Sequence, residues 1–284
     1  MLFVPGDSLR KIQKATTLAV DSVILDLEDG VALNQKEAAR STVAQVLTTL
    51  DFGLNLNRCE RLVRVQTPEI AQAQVDIEAT IAGRPNGYVI PKVETAAQLL
   101  AVSHCLAEME AEHGYLPGSI RLHAMIETAR AIMQLREIAT ATPRLASLIF
   151  GSADYLSELG ATASLEGWEF FYARSAIVTA AAAYRLDAID SVFTNVSNHP
   201  ATLATLEQEC RRARQLGFVG KTLIHPSHVQ TIGQSFSPSA AEVIHAQRVV
   251  AAFAEHQAAG SGAFVLDGKM VDMPVLRAAQ RVLN

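Results

Sequence analysis

The sequence lacks the cysteine patterns that would indicate a disulfide framework or a metal site. Its 284 residues contain three cysteines, Cys59, Cys105 and Cys210, which lie far apart and show neither CxxC nor Cys/His spacing. An odd number of widely spaced cysteines is typical of ordinary thiols in a reducing compartment. We therefore expect a cytoplasmic protein without disulfides.

An excess of positive charge and a long apolar run are missing as well. The formal net charge is -5, which argues against a general nucleic-acid surface. No stretch approaches the roughly 20 apolar residues that a membrane helix needs. The chain opens almost directly on an apolar run, Leu2–Val4, without the pattern of a signal peptide. Neither a nucleic acid nor a membrane is expected as a partner.

Three common catalytic motifs are also absent. The sequence has no GxxxxGK[ST], no strand-linked GxGxxG and no GxSxG, so nucleotide hydrolysis, Rossmann-type cofactor binding and serine-hydrolase chemistry have no support. What is present is a high hydrophobic content, 49%, arranged in short apolar runs that suit buried parallel strands. The candidate strands are Leu2–Val4, Val23–Leu27, Leu62–Val65, Tyr88–Ile90, Leu122–Ile126, Leu148–Phe150, Ala188–Val192 and Thr222–Ile224.

Helical stretches separate these runs. They are Ser8–Ala19, Lys36–Leu50, Ile70–Ile81, Thr95–Glu112, Ala129–Ala139, Phe170–Tyr184 and Ala201–Leu216. This alternation predicts an α/β protein with a (β/α)8 TIM barrel. A doubly wound open sheet is the alternative. We favour the barrel because polar residues follow strands along the whole chain, whereas an open sheet gathers them at one switch point.

The pattern changes after Ile224. The candidate elements are a helix Ala240–His256, a flexible joint Gly260–Gly262, a hairpin that turns at Asp267-Gly268 and a last helix from Pro274 to Val282. We therefore predict two domains, a catalytic barrel over residues 1–233 and a helix-hairpin-helix extension over residues 234–284. A segment behind a glycine-rich joint is a candidate lid or subunit arm.

Glu127 and Asp154 are the strongest candidates for active-site residues. Each follows a candidate strand, and the two strands are successive, so their carboxylates should converge at the mouth of the barrel. Two carboxylates that leave other coordination positions open suit Mg2+, with Mn2+ as an alternative ion. Position alone gives equal weight to another interpretation, in which one residue caps a helix and the other pairs with an arginine.

Arg64 interrupts an otherwise apolar candidate strand. A charge in such a place is costly unless it is paired or lines a site. Its guanidinium can hold a substrate carboxylate with two hydrogen bonds. It can equally form a buried ion pair, for which the candidates are Asp26, Glu28 and Asp29, and the two roles are compatible.

Two further groups of residues have a purely structural interpretation as well as a functional one. Arg10 and Lys14 lie one helical turn apart with Lys11 beside them, and spacing alone favours a solvated helix face over a phosphate site. His225 and His228 lie in a turn without a cysteine or third histidine nearby. We expect turn histidines of this kind to bond to the backbone and not to a metal.

Ordered motifs along the whole chain carry a resemblance to a known family. They are Leu2-Phe3-Val4-Pro5-Gly6, Ile24-Leu25-Asp26-Leu27-Glu28-Asp29-Gly30-Val31, Lys36-Glu37-Ala38-Ala39-Arg40, Val63-Arg64-Val65, Ile90-Pro91-Lys92-Val93-Glu94, Met125-Ile126-Glu127-Thr128, Phe150-Gly151-Ser152-Ala153-Asp154, Gly220-Lys221, Ile224-His225-Pro226, Phe236-Ser237-Pro238 and Asp267-Gly268-Lys269-Met270-Val271-Asp272-Met273-Pro274. The chain resembles the citrate lyase β-subunit-like branch of the HpcH/HpaI aldolase superfamily, which includes malyl-CoA and citramalyl-CoA lyases.

The resemblance implies a set of site residues. It implies Mg2+ on Glu127 and Asp154, and Arg64 on the substrate carboxylate. It implies the CoA phosphates at Arg10 and Lys14, which reverses the interpretation from spacing alone. The other implied residues are Phe3 for substrate binding, Glu28, Asp29 and Lys92 around the metal site, and Asp272 as an acid/base carboxylate from the tail of a neighbouring subunit. Gln66 stands where the family usually has asparagine, a change that could alter the polarity of the pocket.

The resemblance also implies an activity and an assembly. We predict a homo-oligomer, a trimer or hexamer, that splits a 3-hydroxyacyl-CoA into acetyl-CoA and a 2-oxo acid, with (S)-citramalyl-CoA and pyruvate as the first choice. The alternatives are malyl-CoA lyase, a citrate lyase β subunit acting on an acyl-carrier-protein thioester, and a CoA-independent 2-oxo-acid aldolase. A difference of one methyl or carboxymethyl group is set by pocket shape, which motifs do not reveal.

Overall fold

Eight parallel strands organise the first of two units in this chain. The computed structural model describes residues 1–53, 59–164 and 166–283, which divide into Met1–Gly233 and Gln234–Asn284. The strands pair in chain order. They are β1 (Leu2–Pro5), β2 (Ser22–Asp26), β3 (Glu60–Arg64), β4 (Gly87–Ile90), β5 (Arg121–Ile126), β6 (Leu145–Phe150), β7 (Asp187–Asp190) and β8 (Gly220–Lys221).

The sheet closes on itself through the residues that follow β8. Leu223 forms a parallel bridge with Leu2. The amide of Phe3 donates to the carbonyl of Leu223 at 2.8 Å, and the amide of Leu223 donates to the carbonyl of Met1 at 2.9 Å. A parallel sheet with neighbours in chain order and its first and last strands joined is a barrel. The predicted TIM-barrel fold is therefore confirmed, and the open sheet is excluded.

Helices follow the strands around the barrel. They are α1 (Leu9–Ala15), α2 (Lys36–Thr49), α3 (Ile70–Thr80), α4 (Ala96–Glu112), α5 (Ala129–Met133), α6 (Leu135–Ala139), α7 (Ser152–Leu159), α8 (Phe171–Tyr184), α9 (Pro200–Leu216) and α10 (Val229–Phe236). Most of them agree with the predicted stretches within a few residues. The predicted helix Ala129–Ala139 is wrong as a single element, because Gln134 leaves helical geometry between α5 and α6.

Two helices and one strand differ from the sequence-based prediction. Helix α7 was not predicted, since its first residues were assigned to the end of a strand. Helix α10 was not predicted either, since no helix was expected between the last candidate strand and Ala240. The last strand was predicted at Thr222–Ile224, but regular pairing with β7 covers Gly220 and Lys221. The apolar Leu223 is buried because it makes the bridge to β1.

Alternate strand residues fill the interior of the barrel. Six buried side chains from six strands form this cluster, Ile24, Leu62, Val89, Met125, Ile149 and Ile189, with Met1 and Phe3 packed against it. The residues between them face the helices, and they too are largely buried. This two-sided burial explains the continuous apolar runs in the sequence. Each fully buried side chain of this size contributes about 1.5–3 kcal/mol.

The second unit is a helix-hairpin-helix module with its own small core. It contains α11 (Ala240–Ala258), an antiparallel hairpin of β9 (Phe264–Leu266) and β10 (Lys269–Val271), and α12 (Met273–Leu283). Asp267 and Gly268 both have positive φ, as a two-residue hairpin turn requires. These elements agree with the predicted extension. Within the described residues, no helix of either unit has the length and apolar content to span a membrane, and the three cysteines form no disulfide.

Candidate active site

A cavity of about 750 Å³ opens at the carboxyl ends of the barrel strands. It brings together six of the predicted site residues: Phe3, Arg10, Lys14, Arg64, Glu127 and Asp154. Three others, Glu28, Asp29 and Lys92, do not line the cavity but bond to one another beside it. Asp272 belongs to the second unit, where it precedes α12.

Glu127 is the most deeply buried charged residue of the cavity wall. It directly follows β5 and is 1% exposed. The backbone amide of Lys92 donates to its Oε1 at 2.6 Å. Burial raises the pKa of Glu127 to about 7, and the negative charges of Glu28 and Asp154 act in the same direction. The side chain is therefore held in place by a hydrogen bond, while its negative charge is under-compensated.

Two backbone features fix this carboxylate. Lys92 has a φ of 49°, which is uncommon for a residue with a side chain, and this conformation accompanies the bond from its amide to Glu127. Gly151 directly follows β6 and lies close to the side chain of Glu127. A Cβ atom at position 151 would lie 2.3 Å from Oε2 of Glu127 and 2.5 Å from its Cβ. Position 151 therefore has no room for a side chain.

Arg64 is fixed by two buried carboxylates. Its Nε and Nη2 donate to the two oxygens of Asp26, both at 2.7 Å, and its Nη1 lies 2.7 Å from Oε2 of Glu28. Its guanidinium also lies over the ring of Phe3, 4.7 Å from the centroid. Of the three predicted ion-pair partners, Asp26 and Glu28 are found, whereas Asp29 lies beside Lys92. Arg64 nevertheless lines the cavity, so pairing and substrate contact remain compatible.

Lys92 completes this network of charges. Its Nζ donates to Oε1 of Glu28 at 2.7 Å and lies 3.6 Å from Asp29. Burial alone would lower the pKa of Lys92, but the hydrogen bond and charge of Glu28 outweigh it and raise that pKa. Burial raises the pKa of Glu28, and Arg64 and Lys92 oppose the rise. The network links Lys92, two residues beyond β4, to Glu28, two residues beyond β2.

Asp154 lies farther from its strand than predicted. It was expected at the end of β6, but it lies in the first turn of α7, exposed and on the cavity wall. The N-terminal end of a helix favours a carboxylate there. Its charge acts on both Glu127 and Lys92. Within the described residues Glu127 forms no ion pair with an arginine, so that alternative interpretation is not met.

The donor set of this site fits Mg2+. In the described part of the chain no group of three or more His, Cys, Asp or Glu residues could hold a metal ion. Mg2+ is commonly bound through one or two carboxylates, and water and substrate complete its octahedron. A cation beside Glu127 and Asp154 would also offset the burial and the neighbouring negative charges that raise the pKa of Glu127.

Unpaired cations lie at the other end of the cavity. Arg10, Lys11 and Lys14 are exposed on α1 and line the cavity. None of the three forms an ion pair with a residue that the structure describes. Because β1 neighbours β8, and β5 and β6 lie across the barrel, the cations and the carboxylate pair occupy opposite sides of the cavity mouth.

Sequence reasoning missed some wall residues and misjudged Gln66. The backbone and side-chain amides of Gln66 both donate to Asp76, at 2.9 and 2.8 Å, and Gln66 does not line the cavity. The expectation that it alters pocket polarity is therefore wrong. The wall includes Met125, Phe150 and His225. Met125 and Phe150 lie near strand ends, but as apolar residues they were assigned to the core. His225 was expected to bond to the backbone of its turn, as it does to the amide of Ser227, and its place on the cavity wall was not expected.

A barrel whose strand ends surround a cavity with paired carboxylates and free cations defines a TIM-barrel enzyme. The HpcH/HpaI aldolase/citrate lyase family matches residues 1–226, and the chain belongs to this family. By this membership it is a carbon–carbon lyase.

Relatives cover the full chain. Citrate lyase subunit beta of Leuconostoc mesenteroides subsp. cremoris is 34% identical over 284 residues, 100% of this chain and 91% of that protein. The mitochondrial citramalyl-CoA lyase of Homo sapiens is 33% identical over 294 residues, 100% of this chain and 84% of that protein. The crystal structure of CitE from Mycobacterium tuberculosis with magnesium, acetoacetate and coenzyme A superposes with a TM-score of 0.77. It is 33% identical and covers 99% of this chain and 95% of that chain.

Proposed function

We propose that the protein is a Mg2+-dependent lyase that cleaves (S)-citramalyl-CoA into acetyl-CoA and pyruvate. The observation that carries this proposal is one cavity with Glu127 and Asp154 on one side and Arg10, Lys11 and Lys14 on the other. A CoA thioester has this polarity, since its acyl end carries the hydroxyl and carboxylate and its other end carries phosphates. Free cations without carboxylate partners suit phosphate oxygens.

In this proposal Glu127 and Asp154 hold Mg2+, with Mn2+ as the alternative ion. The metal, when bound, supplies Lewis-acid polarisation of the carboxylate and hydroxyl oxygens of the oxo-acid half. The support is the under-compensated charge of Glu127, with its pKa raised to about 7, and the two-carboxylate donor set. The CitE structure that contains magnesium, acetoacetate and coenzyme A supports Mg2+ as the ion.

The remaining steps fall to the chain's own residues. Cleavage breaks the bond between the carbinol carbon and the methylene beside the thioester, and the hydroxyl proton passes to water as the carbonyl of pyruvate forms. The electron pair stays on the methylene carbon as a thioester enolate, which takes up a proton to become acetyl-CoA. Arg64, already fixed by Asp26 and Glu28, neutralises charge on the hydroxyl oxygen without reorganisation. Asp272 of a neighbouring subunit delivers a proton to the enolate carbon and regains one from water.

The wall of the cavity favours a methyl substituent over a second carboxylate. The apolar side chains of Met125 and Phe150 line it. A citryl thioester would bring an additional carboxylate to this wall, where an unpaired charge is costly. The methyl group of citramalyl-CoA would gain about 0.8 kcal/mol from apolar contact. Malyl-CoA lacks that methyl, and one methyl changes selectivity by only about 10–200-fold.

The test is turnover of purified protein against a panel of thioesters with acetyl-CoA detection. We expect Mg2+-dependent activity with (S)-citramalyl-CoA, lower kcat/KM with malyl-CoA and the lowest with citryl-CoA. Cleavage of free citramalate at a rate equal to that of its thioester would instead identify a CoA-independent aldolase. Absence of acetyl-CoA from every thioester would overturn the proposal.

The 34% sequence identity with a citrate lyase β subunit over the whole chain favours one second candidate function. In that case the substrate is a citryl thioester on an acyl carrier protein, and the cations of α1 bind the phosphopantetheine arm. An acyl-carrier-protein thioester in the same panel distinguishes the two candidates. Activity confined to that substrate would identify the citrate lyase subunit.

A further inference from the structure

His225 has a position on the cavity wall that the assigned chemistry does not use. It follows β8, is half-buried and lines the cavity. Its ring lies 6.0 Å from that of His228, which is fully buried and packs edge-on against Phe193 at 5.7 Å. The ring of His225 therefore lies beside a buried, packed side chain.

The turn that follows His225 determines which ring nitrogen carries the proton. The backbone amide of Ser227 donates to Nδ1 at 3.3 Å, and the Ser227 hydroxyl lies 2.6 Å from the same nitrogen. A backbone amide can only donate, so Nδ1 acts as the acceptor. In neutral His225 the proton is then on Nε2, and no described residue accepts a hydrogen bond from Nε2. Nδ1 thus accepts a hydrogen bond within the turn, whereas Nε2–H is available to donate one to a ligand.

His225 belongs to the basic side of the cavity. The bridge between Leu223 and Leu2 places the end of β8 beside β1, and α1 follows β1 with Arg10 and Lys14 on the same cavity wall. Glu127 and Asp154 follow β5 and β6, on the other side of the barrel. An N–H donor beside cations adds a directed hydrogen bond to an anion that the cations attract.

We propose that His225 is a binding residue for the phosphate-bearing part of the CoA substrate, to which its Nε2–H donates a hydrogen bond. This inference rests on the proposed function, because it takes the substrate to be a CoA thioester. It assigns His225 to substrate affinity and not to proton transfer, since the carbon–carbon bond is cleaved at the carboxylate side.

Two variants separate the donor from the structural role of the ring. His225→Asn keeps an acceptor for the amide of Ser227, as asparagine does in caps and turns, but it removes the Nε2 donor. His225→Gln places an amide donor near the position of Nε2. Binding of free coenzyme A and of pantetheine, which lacks the phosphates, would be measured by calorimetry for wild type and both variants. KM and kcat would be measured with the CoA thioester and with its pantetheine analogue.

We expect His225→Asn to weaken coenzyme A binding about tenfold, as loss of a hydrogen bond to a charged group does. Its effect on pantetheine should be less than about twofold, kcat should stay near wild type, and His225→Gln should recover most of the affinity. Equal coenzyme A affinity in wild type and His225→Asn would overturn the inference. So would a loss of kcat that is the same with both substrates. Failure of wild type to bind coenzyme A would instead refute the proposed function.

Discussion

At the residue scale, the position of Glu127 depends on the absence of a side chain at Gly151. A methyl group there would meet Oε2 of Glu127 at 2.3 Å and its Cβ at 2.5 Å, so rotation of the carboxylate alone does not relieve the clash. We expect Gly151→Ala to displace Glu127 and to lower kcat/KM about 100-fold, the usual cost of a misplacement near 1 Å. Calorimetry should show weaker Mg2+ binding.

Gly160 supplies the matched control, because it caps the C-terminal end of α7 as Gly151 caps the N-terminal end. It ends α7 with a φ of 62°, and a Cβ there would meet nothing within 4 Å. Gly160→Ala should cost about 1 kcal/mol of stability through its left-handed backbone and leave Mg2+ binding and turnover unchanged. Wild-type activity in Gly151→Ala would show that the carboxylate accommodates the methyl group and that its position is not critical.

The residues that carry charge could be predicted from the sequence, but the way they are held could not. Glu127, Asp154 and Arg64 were recognisable because charged side chains after apolar runs mark strand ends. The positive φ of Lys92 and the missing Cβ at Gly151 are consequences of tertiary packing. Gln66 was misjudged for the same reason, since its partner Asp76 lies on α3 and no local pattern connects the two.

At the element scale, α1 provides a comparison between a position that lines the cavity and a neighbouring position that does not. Arg10 lines the cavity, whereas Gln13 is exposed and does not. Arg10→Gln and Gln13→Glu each lower the net charge by one, so general electrostatic effects are matched. We expect Arg10→Gln to raise KM for the CoA thioester several-fold with kcat nearly unchanged, because a remote contact contributes equally to ground and transition states. Equal KM values in the two variants would count against phosphate recognition by α1.

The pairing of β5 with β6 buries a histidine inside the barrel and makes its stability depend on pH. His123 is 3% exposed, and its Nδ1 lies 2.8 Å from the hydroxyl of Ser147. Burial lowers the pKa of His123 from 6.5 to about 4, and the charge of Arg121 adds to the effect. The folded state thus disfavours the protonated ring. Stability from this group is present above pH 6.5 and is lost as the pH falls towards 4.

The loss over this range is on the order of 3 kcal/mol. Carboxylates titrate in part of the same range, so the measurement is the difference between wild type and His123→Gln in urea unfolding at several pH values. The variant should show a shallower decline between pH 6.5 and 4, whatever its stability at neutral pH. His104→Gln, an exposed change on α4, is the control and should follow wild type. Parallel curves for wild type and His123→Gln would refute the effect.

Element boundaries were predictable where hydrophobic period and capping agree, and less so elsewhere. The strands β1 to β7 were predicted because two-sided burial makes continuous apolar runs. Strand β8 was misplaced because Leu223 is apolar for another reason, its bridge to β1. Helix α7 was missed because its first turn carries polar residues of the cavity wall, which resemble a loop.

At the scale of the whole molecule, the chain combines a barrel that holds most of the candidate site with a second unit that holds Asp272. In that unit Asp272 precedes α12, and its Oδ1 accepts a hydrogen bond from the amide of Val275 at 3.3 Å. This is the geometry of a helix N-cap. An experiment on Asp272 must therefore distinguish the loss of this structural role from the loss of a catalytic one. Asparagine caps helices about as well as aspartate, so Asp272→Asn preserves the cap and removes only the exchangeable proton.

The proposal that Asp272 serves a neighbouring subunit predicts complementation between two inactive variants. Asp272→Asn should bind Mg2+ and substrate nearly as wild type does but lose most of kcat, because an amide cannot transfer the proton. Glu127→Ala should fold but lose metal binding. In mixed oligomers an intact Asp272 from one chain can meet an intact Glu127 site of another, so activity should return in part after subunit exchange. Light scattering would establish the predicted trimer or hexamer, and mass spectrometry would confirm the exchange. Mixed oligomers without activity would show that the site is not shared, and a fully active Asp272→Asn protein would show that Asp272 is only a cap.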